Sequence, residues 1–197
     1  MSSESTSALP PYRIRTADLP ATALEHRAHH IVAANQRYQL SLGDSTGLTS
    51  TGVHLCRLAA GATSTTLHYH AHDDEWVYVL DAGGDGAVLL VWEGDASVGG
   101  GSGGEEGAVV PREEALRTGD FLGFKAGVPR AHALRAGPAG DVVYLLGGSR
   151  LPVDVCYYPA QGKRMVTEST APGAVAWTVR DEDAKRTARK AYPTVGR

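Results

Sequence analysis

Two histidines and a glutamate stand close together near the middle of the chain. His68 and His70 are separated by one residue, and Glu75 follows after the short turn AHDD. Since side chains alternate between the two faces of a strand, the two imidazoles point the same way. A hairpin would bring Glu75 back beside them. Polar groups facing the inside of an apolar barrel need a partner, because an unpaired buried charge is costly, so the pattern predicts a metal site.

A further histidine could complete this site from a more distant part of the chain. His132 opens a strand candidate after a glycine turn at Gly119, a short strand and a second turn. Three imidazoles and one carboxylate are too rich in nitrogen for Mg or Ca, and they suit Fe(II), Mn(II), Ni(II), Cu(II) or Zn(II). We therefore predict that His68, His70, Glu75 and His132 bind a divalent transition metal. The alternative is a metal-free barrel with a polar pocket.

The other histidines are expected to have ordinary roles. His72 lies in the turn before Glu75 and is expected to be exposed to solvent. His54 lies on a strand whose register the sequence leaves open. We expect it to be a hydrogen-bonded histidine of the barrel rather than a metal ligand. His26, His29 and His30 have a spacing that could chelate an ion on a helix, but a surface cluster on a polar arm is expected.

Short strands must position these residues. The chain is rich in Gly, with 24 in 197 residues, and Gly disfavours helix interiors. Apolar runs rich in Val, Leu and Tyr, separated by Gly, Asp or Pro, predict strands at 52–58, 64–70, 75–81, 86–92, 120–124, 131–135, 141–147 and 153–158. No helical pattern lies between them, which argues against a parallel α/β sheet and for an all-β sandwich or barrel.

Polar segments flank this strand-rich region. We expect an N-terminal arm at 1–35 that includes a helix-compatible run, a barrel at 36–160, and a C-terminal arm at 161–197 with a strand near 175–179 and a charged, helix-capable tail. The Gly-rich stretch 94–115 breaks the strand rhythm and has the composition of a flexible loop. We interpret it as an insertion in a hairpin that the fold tolerates. The alternative is a lid over the mouth of the barrel.

Composition excludes several classes of protein. The net charge of −3 rules out a strongly basic nucleic-acid footprint. No apolar stretch is long enough to span a membrane, and the N-terminus lacks the apolar region of a secretory signal. The two cysteines, Cys56 and Cys156, sit alone in apolar runs and are expected to be buried thiols. A cytoplasmic protein without nucleic-acid or membrane partners is expected.

Both metal-site stretches resemble the paired motifs of the cupin superfamily. The first motif is H-x-H-x4-E followed by a strand and glycine. His68, His70 and Glu75 match it. In the second, cupins usually carry Pro where Lys125 stands and His where Arg130 stands. Here the histidine comes two residues later, at His132, which preserves the strand face. This longer turn, and the stretch VDVCYYPAQGKRM, are similar to a branch of small bacterial and fungal cupins.

The resemblance covers about residues 36–165 and implies an all-β double-stranded β-helix, a jelly-roll barrel. It leaves several functions open. The first is a metal-dependent enzyme, dioxygenase-like or isomerase-like, acting on a small molecule. A non-catalytic module that binds or senses a small ligand is the second. A metal-free sugar-nucleotide epimerase is disfavoured by the four ligand-type residues. No general acid or base is identifiable, and a homodimer formed through the arms is expected.

Overall fold

The structure, a computed structural model, describes residues 9–94, 109–169 and 174–184. Strands account for nearly all of its regular structure: β1 (Glu25–Ala28), β2 (Gln36–Ser41), β3 (Thr51–Leu58), β4 (Tyr69–His70), β5 (Glu75–Asp81), β6 (Ala87–Glu93), β7 (Arg112–Leu116), β8 (Phe121–Phe124), β9 (Arg130–Ala136), β10 (Val142–Ser149), β11 (Val153–Tyr158), β12 (Lys163–Glu168) and β13 (Val175–Arg180). One short α-helix, α1 (Leu42–Ser45), follows β2. Among these described residues, no helix is long and apolar enough to cross a membrane.

The strands pair into three antiparallel sheets. The first has the order β1-β2-β3-β10-β5-β8, the second β13-β12-β11-β4, and the third β7-β6-β9. Isolated bridges at Thr63–Arg135 and His68–His132 connect the segment before β4 to β9. The all-β jelly-roll prediction is confirmed, but the described strands do not close into a single hydrogen-bonded barrel, because β4 contributes only two paired residues.

The core lies between the six-stranded sheet and the three-stranded sheet. Alternate residues of β3, β5 and β10 point inward, and they meet the inward residues of β6 and β9. The most buried members from the first sheet are Cys56, Leu58, Val77, Val79, Val142 and Tyr144. Full burial of one such apolar side chain contributes about 1.5–3 kcal/mol. This packing therefore stabilises the strands that carry the candidate site.

All eight predicted strand regions contain a strand, although 64–70 retains only β4. The sequence missed β1, β2, β7 and β12. Strand β7 begins within 94–115, which was expected to be a loop; residues 95–108 of that stretch fall outside the described residues. Likewise β1 pairs with β2 in the six-stranded sheet, so the helix expected in the N-terminal arm was wrong. The helix-capable tail beyond 184 also lies outside the described residues.

The turn between β4 and β5 was expected to be a hairpin, and this was wrong. The two strands belong to different sheets, so residues 71–74 form a corner. One carboxylate oxygen of Asp154 accepts the backbone N–H of His72 at 2.9 Å and that of Asp73 at 3.3 Å. Asp74 accepts the N–H of Ala126 at 2.8 Å. The corner is therefore held by carboxylates rather than by strand pairing.

Candidate metal centre

Four side chains meet at one carboxylate oxygen. The Nε2 atom of His132 lies 2.9 Å from Oε2 of Glu75. The Nε2 atoms of His68 and His70 lie 3.4 and 3.5 Å from the same oxygen. All four residues predicted from the sequence are therefore brought together, although they come from different sheets.

Backbone pairing explains this convergence. The N–H of His132 donates to the carbonyl of His68 at 2.8 Å, and the reverse bond is 3.3 Å, so the two residues face each other directly. His70 lies two residues further along the same face. Glu75 starts β5 opposite Gly148 of β10, where a Cβ would come within 2.5 Å of the Asp74 carbonyl oxygen. Glycine at 148 thus permits the close approach that positions Glu75.

The second nitrogen of each imidazole has an acceptor that fixes the tautomer. Nδ1 of His68 lies 2.9 Å from the carbonyl of Thr66, and Nδ1 of His132 lies 3.4 Å from the carbonyl of Arg130. Since a carbonyl oxygen can only accept, these Nδ1 atoms carry the proton and donate. Their Nε2 atoms are then available to a metal ion, and the Nε2 of His132 lies within hydrogen-bond distance of Glu75 Oε2. The ring of His132 is also held by stacking on Phe124, with centroids 3.5 Å apart.

His70 has a carboxylate as its anchor. Its Nδ1 lies 2.6 Å from Oδ2 of Asp154 on β11, and Asp154 is buried. Asp154 was not among the residues predicted from the sequence, yet a signal was present: a buried acid in the apolar strand VDVCYY needs a partner. Histidine ligands of metals commonly donate their other N–H to a carboxylate in this way.

Burial and charge set the protonation of the cluster. Burial opposes ionisation of Glu75, but interactions with His132 and His68 outweigh it and hold the pKa of the Glu75 carboxyl well below its usual range. Burial lowers the pKa of His68. Burial also opposes ionisation of Asp154, but its hydrogen bond with His70 keeps the pKa of Asp154 low. The cluster thus favours an ionised carboxylate beside a neutral imidazole at His68.

This donor set fits a metal ion. With Nδ1 protonated, the three imidazoles and the carboxylate offer nitrogen and oxygen donors that converge on one point, a donor set that suits a divalent transition metal. Ligand atoms of His68, Glu75 and His132 lie within 4.8 Å of one another. Cys156 also lies close to His68 and His70, but burial raises the pKa of its thiol, which makes it a poor ligand.

The cluster lines a cavity of about 310 Å³. Apolar residues from several strands form part of its wall: Val77, Leu134, Leu146 and Met165. Tyr144 and Tyr158 add hydroxyl-bearing walls, and Arg37, His29 and His30 line it as well. The expectation of a surface histidine was wrong for His29, which is half-buried against the cavity; His30 borders the cavity but is exposed. His26 is also exposed and is hydrogen-bonded to Gln36.

The side chains of the remaining candidates are not among the four that converge. His72 is exposed, as predicted. Arg130, the alternative to His132, instead pairs with Glu93 at 2.9 Å, and Lys125 is exposed. The expectation of a hydrogen-bonded His54 was wrong for its Nδ1, a buried atom without a hydrogen-bond partner among the described residues.

Comparison with known proteins gives a consistent result at the level of structure. No protein-family model matches the sequence, and no curated protein matches it. A structure from Acidithiobacillus ferrooxidans with the provisional name sugar phosphate isomerase is 28% identical, with a TM-score of 0.71, covering 91% of this chain and 97% of that one. A sugar phosphate isomerase of the cupin superfamily from Silicibacter pomeroyi is 26% identical, with a TM-score of 0.62, covering 87% and 97%.

Proposed function

This chain is a member of the cupin superfamily, and we propose that it is a metal-dependent isomerase of a small phosphorylated sugar. The observation that carries the proposal is the convergence of His68, His70 and His132 on the Glu75 carboxylate. The names of the two similar structures support the reaction class, since each is called a sugar phosphate isomerase and nearly all of each chain is covered.

In this proposal the four converging residues hold the metal, and other groups of the chain orient these ligands and shape the cavity. A divalent ion held there would supply Lewis acidity toward a substrate carbonyl. The Nδ1 hydrogen bonds keep the three rings oriented, while Glu75 supplies one negative charge. Burial raises the pKa of the Tyr144 and Tyr158 hydroxyls, so both remain protonated. A partly apolar wall and a volume of about 310 Å³ suit a small ligand.

Turnover of phosphorylated sugars tests this function. Purified chain, stripped with chelator and reloaded with Fe(II), Mn(II), Ni(II), Cu(II) or Zn(II) in turn, is incubated with a panel of aldose and ketose phosphates. We expect interconversion, followed by NMR, that requires one of these ions and stops when chelator is added. A saturable ligand-induced rise in Tm without any product would contradict the enzyme and favour the non-catalytic binding cupin.

We also propose that two chains associate through β13. This edge strand of the four-stranded sheet exposes Val175 and Trp177, and an open edge is a ready template for pairing. The chain with Val175→Lys and Trp177→Lys is expected to sediment as a monomer, while wild type sediments as a dimer. Phe121→Lys, on the exposed edge strand β8, serves as the control and should leave the dimer intact. Sedimentation of the wild-type chain as a monomer would contradict this proposal.

A cytoplasmic location is proposed on the state of the thiols. Cys56 and Cys156 are both free and buried, which suits a reducing compartment. Burial raises the pKa of the Cys56 thiol to about 11, so this cysteine stays a protonated thiol with little reactivity.

A further inference from the structure

Arg37 brings an uncompensated positive charge to the cavity wall. Its Nη1 donates to the carbonyl of Ser64 at 3.1 Å, and its Nε donates to Oε1 of Gln39 at 2.9 Å. Both partners are neutral. Within residues 9–94, 109–169 and 174–184, every other partly buried arginine has a carboxylate within 2.7 Å: Arg57, Arg135, Arg150 and Arg164. Arg37 is thus the exception. Besides its hydrogen bond with the neutral Cys56 thiol, its remaining N–H groups are left for a ligand.

His29 adds a neutral N–H donor to the same region. Its Nδ1 accepts the backbone N–H of Ile31 at 3.2 Å and lies 3.0 Å from Oγ1 of Thr66. That hydroxyl already accepts from Nδ2 of Asn35 at 3.2 Å, so it gives its own proton to Nδ1. Burial and the neighbouring His30 lower the pKa of His29 to about 4. The ring is therefore neutral at pH 7, with its proton on Nε2.

The cavity is consequently polarised. Arg37 and His29 both come from the β1–β2 hairpin region and line the same cavity as the Glu75 cluster. Glu75 is the only carboxylate among the described lining residues, and it is already surrounded by three imidazoles. No acid is therefore at hand for the guanidinium, and charge-assisted bonds from a guanidinium to phosphate or carboxylate oxygens are among the strongest in proteins.

We propose that Arg37 and His29 form an oxyanion subsite that holds the phosphate group of the ligand. The identity of the rest of the ligand rests on the proposed function, but the subsite itself needs no metal. Guanidinium supplies the charge and a planar set of donors, and the His29 imidazole supplies a further N–H. The uncharged part of a sugar phosphate then extends toward the Glu75 cluster across the apolar wall.

Binding of inorganic phosphate to the metal-free, full-length chain tests this subsite, since phosphate then has no metal ion to bind. In Arg37→Gln we expect calorimetry to show phosphate affinity about tenfold to a hundredfold weaker than in wild type, the range expected for losing a charged hydrogen bond. Arg57→Gln is the matched control, because Arg57 lies on the adjacent strand and stacks on Tyr38. It should bind phosphate like wild type.

Wild-type affinity in Arg37→Gln, or an equal loss in Arg57→Gln, would overturn the subsite. So would acetate binding more tightly than phosphate, because the pocket would then be built for a carboxylate. Failure of the proposed function has a different signature: phosphate binding that depends on Arg37 but no turnover of any sugar phosphate. Metal content measured on Arg37→Gln should remain that of wild type, which separates loss of the subsite from loss of the metal site.

Discussion

Replacing His68 with alanine is expected to reduce the metal content of the purified protein from about one ion per chain to below about a tenth. His68 is buried and its Nε2 is 3.4 Å from Glu75. Loss of an outer partner of a metal ligand already costs about 10–100-fold in affinity, so loss of a ligand should cost more. Elemental analysis after purification without chelators, followed by reconstitution with each ion, measures the effect.

The matched control for this variant is His72→Ala. It removes a histidine from the same stretch, but His72 is exposed and its side chain is outside the cluster. Its metal content should equal that of wild type. Unchanged metal content in His68→Ala, or metal-free wild type under every reconstitution condition, would contradict the metal site. Circular dichroism of the metal-free variants shows whether each change leaves the fold intact.

The four clustered residues could be predicted from the sequence because residue type and strand parity were enough to select them. The parity of a strand places His68 and His70 on one face, and the two-residue shift from Arg130 to His132 preserves that face. The turn before His132 also contacts the first motif directly: Gly127, at φ 75°, donates its N–H to the carbonyl of His70 at 2.9 Å. A glycine is needed there because other residues rarely adopt this conformation.

The rest of the site depends on contacts between residues far apart in the chain. Asp154 reaches His70 across 84 residues, and no short spacing in the sequence indicates that pair. The expected hairpin at 71–74 was wrong because β4 pairs with β11 rather than with β5. Similarly, His29 lines the cavity because the β1–β2 hairpin joins the six-stranded sheet, whereas the polar composition of 1–35 predicted an arm.

Asp154→Asn is expected to weaken metal binding by about tenfold to a hundredfold, the range measured for such outer partners. The reason lies in the geometry of the carboxylate. Oδ1 of Asp154 accepts two backbone N–H groups, from His72 and Asp73. In the variant the amide oxygen must stay in that position, because an NH₂ group cannot accept these bonds. The amide nitrogen is then left facing Nδ1 of His70.

An amide N–H facing Nδ1 reverses the tautomer of His70. Nδ1 must now accept, so the proton moves to Nε2, the atom directed at Glu75, and a protonated nitrogen has no lone pair for a metal. Competition with a chromophoric chelator measures the affinity, and Asp141→Asn, an exposed acid paired with Arg57, is the control. Since the backbone bonds of the corner survive, Tm of the metal-free Asp154→Asn chain should change little. Wild-type metal affinity in this variant would show that Asp154 does not orient His70.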